Sequence, residues 1–349
     1  MIWILGATGR TGRAIAAQVA ARGGTPVLVG RNAERLHKTA AELGLAGVEV
    51  IETDQPAAEI ARRRPTVVVN TIGGYAETAV PIARSCLPGG HYVDLANDLV
   101  AMPRLLALHD EAVAAGSTFV TGAGFGVLGT EAVVAHLCTD RPTPSHVQVD
   151  ALPSVAIDGG LLGEALARSI ISGLTTGGVR YEGGRMVPAR LGADPREHSL
   201  PDGQTAKSAG AATGELLAAQ LSSGAPAVVA TSALISGSRV VRVLLPVAGA
   251  LLKIAPLQRF AVRRLAAVEA KPAPRPREHT WGHAVVSWAD GTTREGWLRT
   301  GDAMDFTASV AAETAVRLAR GEGRPGAYTP ARALGPELAE AAGGAISLC

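Results

Sequence analysis

Short apolar runs alternate with segments of helical periodicity along the first third of the chain. Between the runs, apolar residues recur at helical spacing, as Ile15 and Val19 do. Runs without polar alternation are typical of strands covered on both faces of a parallel sheet. The pattern predicts an α/β fold built on a doubly wound parallel sheet. The predicted strands are 2–5, 26–29, 48–51, 66–70, 91–95 and 117–121.

The second half of the chain changes to alternating polar and apolar residues. Two such runs flank Asp290-Gly291, a strong signal for a hairpin. We therefore expect a second, α+β domain that contains a mixed or antiparallel sheet. Its predicted strands are 146–152, 285–288 and 295–299, and its predicted helices are 163–174 and 214–221.

Glycines punctuate the first strand-to-helix junction, Gly6-Ala-Thr8-Gly9-Arg10-Thr11-Gly12. Gly6 permits a tight turn, Gly9 allows backbone to approach a pyrophosphate, and Gly12 lets the helix lie close to the strand. The amide hydrogens and the dipole at the helix start face the anion. Because a strand precedes the motif and a second strand follows its helix, we interpret it as the dinucleotide site of a Rossmann domain.

The end of the second strand indicates which dinucleotide binds. NAD sites place an acid there for the ribose 2′-hydroxyl, whereas NADP sites place a basic group against the 2′-phosphate. The chain has Arg31 at this position, followed by Asn32, and Arg10 or Arg35 can serve as a second basic partner. We expect NADP(H), held in part by Arg31 and Asn32.

Further ligand residues are expected after the fourth strand. Asn70, Thr71 and Gly73 form a turn at its carboxyl end, and ligands of such sheets bind beyond these ends. This loop is predicted to approach the central phosphates or the nicotinamide ribose.

A length of 349 residues exceeds what one hydrophobic core usually serves. We assign residues 1–125 to the NADP-binding domain and 126–301 to an α+β domain for substrate binding or dimerisation. Residues 302–349 form a C-terminal helix and tail that can return to the first domain.

An apolar stretch at 239–267 carries interspersed arginines and lysine. Three interpretations are open: an amphipathic element in peripheral contact with a membrane, a lid over an apolar pocket, or a pair of core helices. Its most apolar part, 243–252, reaches about half of a bilayer core and does not span it.

Composition narrows the class of protein. A net charge of +2, with 18% charged and 3% aromatic residues, does not fit a nucleic-acid footprint. The three cysteines form no metal-binding spacing, which indicates reduced thiols, a cytoplasmic location and no metal site. The short first run is no signal peptide.

The sequence does not contain the residue motifs that several known catalytic mechanisms require. No tyrosine has a lysine four positions later, as a short-chain dehydrogenase requires, and the chain has neither an HExxH nor a GxSxG motif. Of the mechanisms considered, hydride transfer by the cofactor remains. The candidate catalytic proton donors are Tyr75, Asp94 and Asp98, with Glu131 and Tyr181 as further candidates. Each also has a structural interpretation, and the proton can come from solvent.

Five motifs follow one another along the chain: Gly6 to Gly12, Val29-Gly30-Arg31, Asn70 to Gly73, His91 to Leu95 and Gly124-Phe125. Together they resemble the saccharopine dehydrogenase-like reductases, most of all the branch with the bacterial trans-acting enoyl reductases of polyketide lipid synthesis. The resemblance implies a Rossmann domain, a second domain with a mixed sheet, and NADP(H)-dependent reduction. Gly126 and Gly129-Thr130-Glu131 depart from the relatives' pattern.

We expect a cytoplasmic NADPH-dependent reductase that acts on an activated C=C bond of a mostly apolar small molecule, bound between the domains. One alternative is an imine reductase or opine-type dehydrogenase, which needs arginines such as Arg168, Arg180 and Arg190 to converge on substrate carboxylates. Another is a sensor or scaffold that binds NADP(H) without turnover. A homodimer is compatible with each.

Overall fold

The computed structural model describes residues 1–45, 47–157, 159–235 and 249–349. The chain forms two compact units. The first unit contains residues 1–128 and 304–343, and the second contains residues 129–303 and 344–349. The expected boundary at 125/126 lies three residues before the one observed, and the expected C-terminal segment, 302–349, divides between the units.

The first unit begins with a regular alternation of strands and helices. They are β1 (Ile2–Leu5), α1 (Arg10–Ala21), β2 (Pro26–Gly30), α2 (Ala33–Glu42), β3 (Val50–Glu52), α3 (Pro56–Arg63), β4 (Val67–Asn70), α4 (Tyr75–Ser85), β5 (His91–Asp94), α5 (Ala101–Leu106), α6 (His109–Ala114) and β6 (Thr118–Val120). Helix α7 (Phe125–Cys138) then leads into the second unit.

The second unit contains most of the remaining strands. They are β7 (His146–Leu152), β8 (Gly160–Leu161), β9 (Gly178–Glu182), β10 (Arg185–Ala189), β11 (Arg196–Ser199), β12 (Thr205–Gly210), β13 (Ala227–Ser232), β14 (Glu269–Ala270), β15 (Thr280–Ser287) and β16 (Thr293–Thr300). The helices between them are α8 (Gly163–Thr176), α9 (Gly214–Ser223) and α10 (Ala255–Ala266).

The C-terminal segment adds α11 (Ala303–Ala319), β17 (Gly326–Tyr328), α12 (Pro330–Leu334), α13 (Leu338–Ala341) and β18 (Ala345–Leu348). Strand β17 joins the first sheet beside β6, whereas β18 joins the second beside β16.

All seven strands of the first sheet are parallel, in the order β3-β2-β1-β4-β5-β6-β17. Strand β1 lies inside the sheet between β2 and β4, and its four side chains are at most 2% exposed. This order is that of a Rossmann sheet with one added strand, which confirms the predicted fold class. The apolar runs of the sequence are therefore strands covered on both faces.

The nine-stranded second sheet is mixed. Strands β7 and β13 are parallel and the other pairs are antiparallel, along the path β10-β9-β13-β7-β15-β16-β18. Strand β12 joins this path beside β13 and pairs with β11. The hairpin expected at Asp290-Gly291 connects β15 to β16, with Gly291 at φ +84°. The expected second domain is thus confirmed.

No helix among the described residues has both the length and the apolar character that crossing a bilayer requires. Residues 239–248 of the basic apolar stretch lie outside the described residues. Its described part forms α10, which buries no residue, so α10 is not a core helix.

One close contact fixes helix α7 against the second sheet. An added Cβ at Gly282 of β15 would overlap the carbonyl oxygen of Gly129 in α7. We expect Gly282→Ala to destabilise the protein by about 1–3 kcal/mol, since the backbones must separate to accept it. Urea unfolding measures this loss.

Gly173→Ala in α8 is the matched control, because a Cβ there meets no atom of another described element within 4 Å. Alanine in a helix is about 0.5–1 kcal/mol more favourable than glycine, so this variant should keep or gain stability. Equal effects at the two positions would contradict the proposed backbone contact.

Candidate nucleotide site

The turn between β1 and α1 has room for glycine alone at two positions. Gly6 has φ +74°, and an added Cβ would lie 2.9 Å from Thr71 Oγ1. A Cβ at Gly12 would lie 2.5 Å from the carbonyl oxygen of Gly6. The first turn of α1 therefore rests directly on the turn that precedes it, as a pyrophosphate cradle requires.

The N-terminus of α1 has the properties of an anion-binding site. Gly9 is its N-cap and supplies no side-chain hydrogen bond, and no acid lies in the first turn. Gly9 and Arg10 are exposed, and Thr8 and Thr11 are half-buried. The Gly9 N–H donates to Gly6 O at 2.9 Å, so Gly9 contributes space for the ligand, not its N–H. The helix dipole and the later amides favour a phosphate at this end.

Arg31 is exposed directly after β2 and forms no ion pair with another described residue. Asn32 has a local function, because its Oδ1 accepts a hydrogen bond of 2.8 Å from the Arg35 N–H and caps α2. Glu52, which lies beside Gly30 in register, accepts from the Ala33 N–H at 3.2 Å. The guanidinium of Arg31 is thus available to a 2′-phosphate.

The loop after β4 is attached to the glycine turn. Thr71 Oγ1 donates to Leu5 O at 2.7 Å, and its N–H donates to the same oxygen at 3.1 Å. Asn70 is fully buried; its Nδ2 donates to the Tyr92 hydroxyl and its Oδ1 accepts from the Ile72 N–H, both at 3.0 Å. Gly73 is half-buried in the same loop. These bonds hold the loop at the carboxyl edge of the sheet, where the cofactor is expected.

Tyr75 opens α4 and is half-buried. Its hydroxyl donates to Asn70 O at 3.4 Å. Burial, and then the nearby charge of Asp94, raise the pKa of Tyr75 well above its ordinary value. The phenol therefore stays protonated at neutral pH and is already engaged with the β4 loop.

Asp94 joins two neighbouring strands at the same edge. Its Oδ1 accepts from Thr121 Oγ1 at 2.8 Å and from the N–H groups of Ala96 and Gly122 at 3.0 and 3.1 Å. Burial raises the pKa of Asp94 to about 6, although these hydrogen bonds oppose the shift. The carboxyl group connects the ends of β5 and β6.

The other candidate donors also have structural partners. Asp98 accepts from the N–H groups of Val100 and Ala101 at the start of α5, at 2.9 and 2.7 Å. Glu131 and Tyr181 belong to the second unit. Glu131 is buried and accepts from Ser222 Oγ at 3.0 Å, and Tyr181 is buried in β9. Each of the five candidate donors therefore has a place in the fold.

A buried polar row in the second unit is absent from the sequence predictions. Thr231, Asp150 and His283 lie side by side on β13, β7 and β15. Thr231 Oγ1 donates to Asp150 Oδ1 at 2.6 Å, and His283 Nδ1 donates to Asp150 Oδ2 at 2.8 Å. Only the cross-strand register brings them together, and no local motif signals it.

His283 lies between two carboxylates. Its Nε2 is 3.0 Å from Glu295 Oε1, and its ring stacks on Trp297 with centroids 3.9 Å apart. Burial alone raises the pKa of Asp150, but hydrogen bonds from His283 and Thr231 outweigh it and hold that pKa below its ordinary value.

The same row contains the donor types of a metal site. Ligand atoms of Asp150, His198 and His283 lie within 4.8 Å of one another. All three are engaged in hydrogen bonds, His198 Nε2 with Ser208 Oγ at 2.8 Å. We therefore interpret the row as a hydrogen-bonded network that connects β7, β11, β12, β13 and β15.

The fold and the glycine turn together define a dinucleotide-binding oxidoreductase. Residues 2–120 match the saccharopine dehydrogenase NADP binding domain. The match confirms NADP as the cofactor of the first unit. The chain is an NADP-dependent oxidoreductase of saccharopine dehydrogenase-like fold.

One solved structure is similar over the whole chain, and a second is similar over about a third of it. Saccharopine dehydrogenase (L-Glu forming) from Saccharomyces cerevisiae is 13% identical, with a TM-score of 0.61, and the alignment covers 100% of this chain and 99% of that one. Serine dehydrogenase from Escherichia coli is 17% identical over 34% of this chain and 80% of its own, with a TM-score of 0.30. No curated protein matches the sequence.

Arg31→Ala is expected to weaken NADPH binding roughly 10- to 100-fold and NADH binding little, because a charged hydrogen bond contributes about 1.5–3 kcal/mol. Calorimetric titration with both nucleotides measures the difference. Lys38→Ala is the control, since the side chain of this cation in α2 is 76% exposed. Equal losses for the two nucleotides would contradict a 2′-phosphate contact.

The shifted pKa of Asp94 predicts a pH-dependent stability. A carboxyl group whose pKa is near 6 in the folded state and 3.8 in the unfolded state binds its proton more tightly when folded. Its contribution is complete below pH 3.8 and is lost as the pH rises towards 6, by about 3 kcal/mol in total.

Asp94→Asn removes the titration and keeps an acceptor oxygen. The difference in unfolding free energy between the native protein and this variant should therefore fall between pH 4 and 6 and be level above it. Urea unfolding across this range measures the difference. A difference that does not change with pH would show that Asp94 keeps its ordinary pKa.

Proposed function

We propose that the protein is an NADPH-dependent reductase that transfers hydride to an activated C=C bond of a mostly apolar biosynthetic intermediate. The observation that carries the proposal is which residues at the carboxyl edge of the first sheet are free to contact a ligand and which already form hydrogen bonds within the protein. The glycine turn and Arg31 are open to a ligand, whereas Asn70, Tyr75 and Asp94 are engaged in holding the loops.

The cofactor supplies the hydride, so the protein has to bind and orient it. Residues 8–12 at the start of α1 are suited to the pyrophosphate and Arg31 to the 2′-phosphate. The loop of Asn70, Thr71 and Gly73 is suited to the nicotinamide ribose. Reduction of an activated double bond adds one hydride and one proton. Solvent can deliver the proton, which agrees with the structural engagement of Tyr75, Asp94 and Asp98.

An apolar acceptor fits the charges of the second unit. Arg180, one of three arginines considered for a substrate carboxylate, lies 2.5 Å from Glu182. The buried acids Asp150 and Glu131 have hydrogen-bond partners within the unit. These three ionisable groups therefore already have partners within the protein. The resemblance to the trans-acting enoyl reductases supports the same choice of acceptor.

The matched domain favours a second candidate, the reduction of a C=N bond by an imine reductase or a saccharopine-type dehydrogenase. Its name is that of saccharopine dehydrogenase. In this case substrate carboxylates would need arginines, so the two candidates differ in the charge of the acceptor.

Purified protein incubated with NADPH deuterated at C4 separates the candidates. We expect deuterium to enter the product when long-chain 2-enoyl thioesters are offered, and not when imines of 2-oxo acids are offered. Mass spectrometry of the products measures the transfer. The Arg31→Ala variant should lose the activity at low NADPH and regain it at high NADPH.

Transfer to imines alone would replace the first candidate with the second. Tight NADPH binding without transfer to any acceptor would contradict both and favour a nucleotide sensor. The Lys38→Ala variant is the control here too, and it should keep the native NADPH dependence.

A further inference from the structure

The second unit exposes apolar side chains around one helix. Helix α10 packs against α8, yet none of its residues is buried. Leu257 and Phe260 are 44% and 58% exposed. Large exposed apolar side chains are normal singly but not in clusters, which mark interaction sites. The cluster at α10 therefore indicates an interaction site.

The exposed apolar area continues beyond the ends of α10. Strands β8 and β14 pair, and the Leu162 N–H donates to Val268 O at 3.0 Å. Leu161 and Val268 are 70% and 45% exposed at this end. Leu251 and Ile254 are exposed just before the helix. Among the described residues, nine of the thirteen large exposed apolar side chains lie in 157–170 or 234–268, so the exposure is concentrated there.

The segment of the chain that contains α10 is also basic. Residues 239–268 contain six arginines or lysines and no acid. Because the whole chain carries +2, the remainder carries −4. Arg259, Arg263 and Lys253 are exposed and form no ion pair with a described residue, and Arg264 lies over the Phe260 ring at 5.8 Å. The positive charge is thus concentrated in this segment, and one exposed acid, Glu269, adjoins it beside Val268.

We propose that this surface docks on an anionic lipid bilayer. We call it the α10 surface and define it by Leu161, Leu257, Phe260 and Val268 with Lys253, Arg259, Arg263 and Arg264. Phe and Leu side chains beside arginines are the composition of helices that lie in the plane of a membrane interface. The apolar side chains enter the region below the headgroups, and the cations contact the lipid phosphates.

Charge is what distinguishes a lipid partner from a second copy of the chain. Two copies that met through the α10 surface would bring two sets of like charges together, and like charges at an interface are unfavourable. An anionic bilayer satisfies both the apolar and the basic part of the surface. The proposal is independent of the substrate and of the reductase activity.

Flotation of the full chain with vesicles tests it. We expect binding to vesicles of phosphatidylglycerol and phosphatidylcholine, weak binding to pure phosphatidylcholine, and release at about 1 M salt, where the screening length falls to roughly 3 Å. The triple variant Arg259→Gln, Arg263→Gln, Arg264→Gln should bind roughly 100-fold less, since each cation near an anionic surface contributes a factor of about five.

A matched control changes the same charge elsewhere. Arg185→Gln, Arg294→Gln and Arg320→Gln replace three exposed arginines outside the α10 surface and should leave vesicle binding close to native. Leu257→Ser with Phe260→Ser should lower binding at least about tenfold, whereas Val113→Ser with Met186→Ser should not. Melting curves check that all four variants fold.

Three results would overturn the proposal. One is no flotation with anionic vesicles at low salt. Another is an equal loss in the α10 triple variant and its control, which would assign binding to net charge alone. The last is a dimer that Leu257→Ser with Phe260→Ser converts to monomer without any effect on vesicle binding, which would make the surface a contact between two copies.

Discussion

The close approach of α1 to the turn that precedes it is the contact on which the first unit depends. Gly12 lies against the carbonyl group of Gly6, and Thr71 closes the other side of Gly6. A side chain at either glycine would push α1 or the β4 loop away from the sheet. Because the helix start is close to the turn and has no side-chain cap, its dipole and amides face the place where we propose that a phosphate binds. The proposed cofactor site thus depends on a backbone distance more than on any single side chain.

The same edge of the sheet shows how the polar residues are used. Asn70 and Asp94 are fully buried at the ends of neighbouring strands, and both satisfy backbone N–H groups of the following loops. A buried polar group without such partners would be costly, so these side chains are first of all components of the fold. One carboxyl oxygen of Asp94, Oδ2, is buried at this edge without a hydrogen-bond partner among the described residues. A reaction whose reactive group belongs to the cofactor suits this arrangement well.

Local sequence patterns predicted strands β1 to β6 of the first unit, because apolar runs and glycine spacing are properties of neighbouring residues; strand β17, in the segment interpreted as a tail, was not predicted. The hairpin at Asp290-Gly291 and strand β7 were predictable for the same reason. The row of Asp150, His198 and His283 was not, since its members are 48 and 85 residues apart in the numbering and meet only through strand register. For Asn70 and Asp94 the sequence predicted a position at the edge and left a structural interpretation of Asp94 open, whereas their hydrogen-bond partners were not predictable from it. The return of residues 344–349 to the second sheet also depends on long-range pairing.

The second unit distributes its side chains in an unusual way. Ionisable groups such as Asp150 and His283 are buried in a hydrogen-bonded row, whereas Phe260 and Leu257 lie at the surface among arginines. Buried charges are tolerated because they pair and are bonded to neighbouring hydroxyl groups. Exposed apolar groups have no such compensation in water, where each costs the free energy that burial would return. The distribution becomes favourable when the medium at α10 is a lipid interface, since the apolar side chains then leave water and the cations find counter-charges.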